Sequence, residues 1–225
     1  MATIRWPDQV LSPRGISLDI ATRSLSGPAS ISGAVQVVAS DAGIWKVTFE
    51  GIPVVNEQKV KAWRGVAGLL EGRLNPIVLP ISRFYQPGWV ENDNSLVDPV
   101  PHSDDAFFSD GSGYVGSVND VRLAGSVAVR ATTANVVIHY GGPLEPSQHF
   151  SLGERLYRIR RVTMTSETTA TITFRPPLRE AASLGDRLEL DDPVVRVKLA
   201  NDDAMDLALD YNRWGFPSLS FVEDV

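Results

Sequence analysis

The sequence predicts a mainly β protein with one α-helix. Short runs in which apolar and polar residues alternate recur along the chain, and turns rich in glycine or proline separate them. Only residues 56–72 follow a helical period instead. The chain has 225 residues, 43% of them hydrophobic, which is enough to bury a core without disulfides.

The first predicted elements are strands at residues 16–21, 35–39 and 44–50. Gly27-Pro28 and Ser32-Gly33 predict a turn, and Asp41-Ala42-Gly43 predicts a hairpin loop between the second and third strands.

A helix is predicted next, at about residues 56–72, with Asn56 as its N-terminal cap and Gly72 as its C-terminal cap. Its apolar positions fall near helical spacing, at Val60, Trp63, Ala67, Leu70 and Leu74. A strand at residues 75–82 follows. Pro76 and Pro80 restrict that strand to a sheet edge or to a strand end.

Residues 86–120 have no regular period and an unusual composition. Between Phe84 and Val121 there is no Lys or Arg, but there are seven acidic residues. Disordered segments are poor in aromatic residues, whereas this one contains several, so we predict a long ordered loop or linker that makes contacts. Its interface candidates are Trp89, Phe107, Phe108 and Tyr114.

Strands return at residues 121–129, 135–140, 156–164, 168–174 and 187–190, and then at 194–199 and 219–222. The first five predict a small β-barrel or sandwich. The phrase Ser-Leu-Gly-acid-Arg-Leu occurs there twice, at 151–156 and 183–188, and each copy predicts a glycine turn that leads into a strand. Trp214 and Phe216 are further interface candidates near the end of the chain.

The charge is unevenly distributed. The net charge of −6 argues against nucleic acid as the main partner. Acids concentrate in the loop and near the C-terminal end, whereas arginines concentrate in the middle, where Arg158, Arg160 and Arg161 are candidates for holding an anionic partner. Patches of opposite charge allow a chain to pack against copies of itself. They are also typical of solvated surfaces, where charged side chains on strands simply face the solvent.

No catalytic pattern stands out. The absence of cysteine excludes disulfides and thiolate chemistry, and His102, His139 and His149 lack metal-ligand spacing. Phosphate-loop and serine-hydrolase motifs are missing. Residues 103–113 lack the register of a calcium loop, and Asp110-Gly111 predicts a turn, although oxygen ligands for calcium are plentiful there. We therefore predict no enzyme, no catalytic residue, no metal and no cofactor, and also no signal peptide and no membrane contact.

An ordered series of phrases resembles a known protein family. The series comprises PHSD at 101–104, FSDGSGY at 108–114, FSLGERLYRI at 150–159 and TFRPPLRE at 173–180, after Trp63-Arg64 and GRLNP at 72–76. Together these phrases resemble tail proteins of bacteriophages with long non-contractile tails, and most of all the distal tail (baseplate ring) proteins.

This resemblance implies a tail-tube-like β-sandwich with one helix, formed by residues 1–85 with 191–225, and an inserted β-domain at 121–190. It implies a structural virion protein of the tail tip, made in the cytoplasm of the bacterial host, that forms a homohexameric ring. Its partners would be the tail tube protein, the baseplate hub and the tail fibre proteins, with DNA passing only as cargo in the lumen. The residues leave two alternatives open: a carbohydrate- or receptor-binding β-module of a phage tail, and a cell-wall hydrolase.

Overall fold

The residues that the computed structural model describes are mainly β with one helix, which confirms the predicted fold class. The described residues are 3–29, 33, 35–81, 86–87, 101–114, 118–211 and 213–225. The elements are β1 (Ile4–Arg5), β2 (Gly15–Ala29), β3 (Val35–Glu50), α1 (Glu57–Leu70), β4 (Ile77–Pro80), β5 (Asp120–Leu123), β6 (Thr133–Tyr140), β7 (His149–Leu152), β8 (Arg155–Met164), β9 (Thr169–Arg175), β10 (Arg187–Leu188), β11 (Val194–Leu199) and β12 (Leu219–Glu223).

The chain divides into two compact units. Unit 1 comprises Met1–Pro80 with Val195–Val225, and unit 2 comprises Ile81–Val194. The segment 86–120, expected as a separate linker, therefore falls within unit 2. The predicted domain limits at residues 85, 121 and 191 stay predictions.

Unit 1 is built on a six-stranded sheet in the order β1-β4-β11-β12-β3-β2. Strand β1 runs parallel to β4, and the pairs β11–β12, β12–β3 and β3–β2 are antiparallel. Two-residue β1 was not predicted from the sequence, because so short a strand has no measurable alternation.

Helix α1 has a defined cap at each end and packs through the side chain of Trp63. The Asn56 side chain caps the helix by accepting a hydrogen bond from Lys59 N at 2.9 Å. The predicted C-terminal cap is one residue off, because Glu71 already takes the left-handed conformation and its N–H bonds Ala67 O. Buried Trp63 packs edge-on against Trp6, with ring centroids 6.5 Å apart. Leu74 lies beyond the helix and is exposed.

Strands β2 and β3 form one long hairpin, which corrects the predicted loop at residues 41–43. Ala21 pairs with Ile44 and Arg23 with Ser40, so Asp41-Ala42-Gly43 is an irregularity inside β3 opposite a single residue of β2. A Cβ atom at Gly43 would lie only 2.4 Å from Ile20 Cγ2. The glycine therefore permits a close strand approach rather than a reversal of the chain.

Unit 2 is a nearly closed six-stranded barrel in the order β10-β5-β6-β9-β8-β7. Ser151 and Glu189 exchange two backbone hydrogen bonds of 2.9 Å each, which joins the β7 edge to the chain after β10. The core contains Phe150, Tyr157 and Phe174, with all three ring centroids within 5.5 Å of one another. Strand β7 overlaps the first Ser-Leu-Gly phrase, so only its Gly153-Glu154 part forms the predicted turn.

Candidate interaction surfaces

The described part of the acidic segment, residues 101–114, is built from two tight turns. In the first, His102 N bonds Ala106 O; in the second, Phe108 N bonds Ser112 O. An aspartate supports each turn: Asp104 accepts from Ala106 N, and Asp110 accepts from the amide and hydroxyl of Ser112. Those bonds, the hydroxyl first, hold the pKa of Asp110 below its usual value, so the loop retains this negative charge.

Aromatic side chains form a cluster on this loop. The rings of His102, Phe108 and Tyr114 meet edge-to-face, with centroids 4.6 to 5.4 Å apart. Phe107 is 48% exposed, Phe108 40% and Tyr114 53%. Three of the four loop candidates are therefore at the surface, and Trp89 lies outside the described residues.

The base of the loop is held by buried Asn119 and half-buried Asp191, a pair that sequence reasoning missed. The Asn119 side-chain amide donates to Pro87 O at 3.1 Å and to Asp191 Oδ1 at 2.7 Å. Asp191 Oδ2 also accepts from Val118 N at 2.9 Å. Pro87 and Asn119 thus lie side by side. No local signal reveals this arrangement, because Asn119 and Asp191 are 72 positions apart.

The predicted arginine candidates lie on β8 in different settings. Arg158 is half-buried, and its Nε donates to His149 Nε2 at 3.0 Å. A register shift lies between Ile159 and Arg161, and it leaves Arg160 and Arg161 both exposed. A β-bulge of this kind changes which way successive side chains face.

The C-terminal candidates form a second exposed aromatic surface, on unit 1. Trp214 is 40% exposed and Phe216 46% exposed. Tyr211, which was not predicted, lies with its ring centroid 5.8 Å from that of Trp214. The Arg14 guanidinium lies 4.4 Å above the Phe216 ring, which is a cation–π contact.

A groove of about 370 Å³ in unit 2 lies where the two Ser-Leu-Gly phrases meet. Gly153 and Gly185 both have positive φ, of 59° and 87°, which explains the glycine in each phrase. Arg155 and Asp186 line the groove, and Arg155 Nε donates to Glu180 Oε1 at 3.0 Å. Because that arginine already has a carboxylate partner inside the groove, we assign no ligand to it.

No metal-binding cluster is found in the described part of the chain, where no group of three or more His, Asp or Glu side chains is placed to hold a metal ion. His149 is buried beside Arg158, and His102 belongs to the aromatic cluster. The described part of the chain also contains no helix long and apolar enough for a membrane crossing.

No family model matches the chain, and no curated protein matches it either.

Proposed function

We propose that the protein is a structural subunit of a phage tail tip that assembles with copies of itself into a ring. The observation that supports assembly most strongly is the far half of the β2–β3 hairpin, here called the distal arm (residues 22–29 and 35–43). Strand β12 pairs with β3 only from Lys46 to Phe49. Glu223 Oε2 then accepts from Trp45 N at 3.0 Å, at the end of β12.

Beyond Trp45, the described strand pairing of the distal arm is that between its own two strands. A two-stranded ribbon is only marginally stable in water, and its unpaired N–H and C=O groups are a template for another strand. Charged side chains usually protect such edges, but the sequence of the distal arm contains only two charged residues, Arg23 and Asp41. An arm of this composition favours pairing with a second chain.

The phrases that resemble distal tail proteins support the choice of a phage tail tip. FSDGSGY lies in the exposed loop, FSLGERLYRI spans β7 and β8, and TFRPPLRE begins within β9. On this proposal the protein is not an enzyme, and its partners are its own copies, the tail tube protein, the hub and the fibres. Its place is the virion.

Removal of the distal arm tests the proposal. In the variant, Asn-Gly replaces residues 22–43, so that the paired residues Ala21 and Ile44 flank a two-residue turn. We expect the full-length chain to form closed rings in electron microscopy. The shortened chain should stay folded by near-ultraviolet circular dichroism but associate about 100-fold more weakly in light scattering, equivalent to about 3 kcal/mol.

Point substitutions provide a matched control. Lysines at Val35 and Gln36, both exposed on the arm, should weaken assembly, whereas lysines at exposed Leu69 and Leu74 should not. A full-length chain that remains monomeric at every concentration would contradict the proposal.

The carbohydrate-binding alternative has one observation in its favour. Exposed Tyr211 and Trp214 lie next to each other in a stretch that contains Asp210, and sugar-binding sites combine aromatic and carboxylate groups. A monomer that binds glycans on an array, and loses that binding with Trp214→Ala, would favour this alternative.

A further inference from the structure

The outer face of the β6–β9–β8 sheet carries positive charge without acidic residues. None of these three adjacent strands contains Asp or Glu. Their outward positions are mainly threonine, asparagine and arginine. The basic face is defined here by Arg158, Arg160, Arg161 and Arg175. Since the whole chain has a net charge of −6, this concentration of positive charge is a local feature.

Strand register concentrates this charge. Arg158 and Arg175 are direct cross-strand neighbours, and the bulge in β8 adds exposed Arg160 next to exposed Arg161. Like charges on neighbouring side chains repel each other, and an anionic partner would relieve the repulsion between Arg160 and Arg161.

The same unit presents a surface of opposite charge. Residues 103–111 of the loop are all exposed, and they include Asp104, Asp105 and Asp110 but no basic residue. Phe107 and Phe108 add exposed apolar area beside these acids. Interfaces of this kind combine aromatic anchors with complementary charges.

We infer that the basic face receives the acidic loop, residues 101–114, of a second copy of this chain. The inference rests on the proposed ring assembly and names the two surfaces that meet in it. The Asn119 anchor holds the base of the loop on its own barrel, so the loop can be presented to a neighbour at a lower ordering cost.

Charge reversal tests the pairing. Arg160→Glu with Arg161→Glu, and separately Asp104→Lys with Asp105→Lys, should each weaken assembly of the full-length chain by about tenfold or more. An equimolar mixture of the two variants should restore assembly to within about threefold of the wild type, because each copy then offers a surface complementary to the other. Light scattering at low and high salt would measure both effects, and high salt should reduce the differences.

Matched controls and the other outcomes separate this inference from the proposed function. Arg64→Glu with Arg213→Glu, and Asp203→Lys with Asp206→Lys, change exposed charges of unit 1 by the same amount and should leave assembly unchanged. Rings that form normally in both test variants would overturn the pairing while leaving the ring proposal intact. A wild-type chain that never assembles would count against the ring proposal itself. Binding of an anionic polymer such as DNA to the basic face, lost in the arginine variant while rings persist, would identify a different occupant and overturn the pairing.

Discussion

The two sheets of this protein differ in how far the backbone groups at their edges are paired. In unit 2, Ser151 and Glu189 join the first and last strands, so the barrel has almost no free backbone edge. In unit 1, the β2–β3 hairpin continues beyond the last residue of β12 that pairs with it. Contacts with unit 2 must therefore use side chains and the loop, whereas the distal arm offers main-chain hydrogen bonds.

Opening the barrel should have the largest effect on stability. Ser151→Pro removes the N–H that bonds Glu189 O and should destabilise unit 2 by about 3 kcal/mol or more. Denaturant unfolding followed by circular dichroism would measure the loss.

Ser151→Ala is the control for this prediction. It keeps the backbone bond and loses only the hydroxyl bond to Val194 N, so its cost should be about 1 kcal/mol. Equal costs for the two substitutions would show that the backbone closure contributes little.

A smaller effect is expected at the root of the distal arm. Gly43→Ala places a Cβ atom against Ile20 and should cost about 1–3 kcal/mol. Gly65→Ala, in helix α1 with open space around the new methyl group, should instead stabilise by up to about 1 kcal/mol. Thermal unfolding of the two variants gives the comparison directly, and shifts of the same sign would be inconsistent with a close approach at Gly43.

The smallest predicted effect depends on pH. Burial tends to raise the pKa of Asp224, but hydrogen bonds from Lys198 and Arg196 on β11 outweigh it and lower that pKa. A carboxylate whose pKa is lower in the folded state stabilises above its unfolded pKa of about 3.9, and this contribution disappears as the pH falls through the folded value.

Asp224→Asn should therefore cost about 1–2 kcal/mol at pH 7, and the difference from wild type should shrink as the pH falls below about 4. Unfolding free energies measured between pH 7 and pH 3 would check this. A difference that stays constant over that range would exclude the charged form as its source.

Much of the fold could be predicted because core-facing strands alternate. Strands β9 and β11 lie close to their predicted limits, since each carries buried residues at every second position. The distal arm could not be predicted, because Asp41-Ala42-Gly43 has the composition of a turn and only the approach of Ile20 explains its glycine.

The candidate surfaces could be predicted only in part. Phe107, Phe108, Tyr114, Trp214 and Phe216 are exposed, as an interface role requires, but that role stays a prediction. Arg161 was a candidate together with Arg158 and Arg160, but Arg175 was not, because only the cross-strand register brings it next to Arg158. Pairing between strands depends on the whole sheet and leaves no trace in a local pattern.

The anchor at Asn119 also bears on how this protein could change over time. One side-chain amide binds Pro87 and Asp191, so Pro87 and Asn119 are held in place at the two ends of the sequence between them. The entropy of closing a loop grows only slowly with its length. Segments of different length and chemistry could therefore replace one another between the same two anchor points while the barrel stays constant.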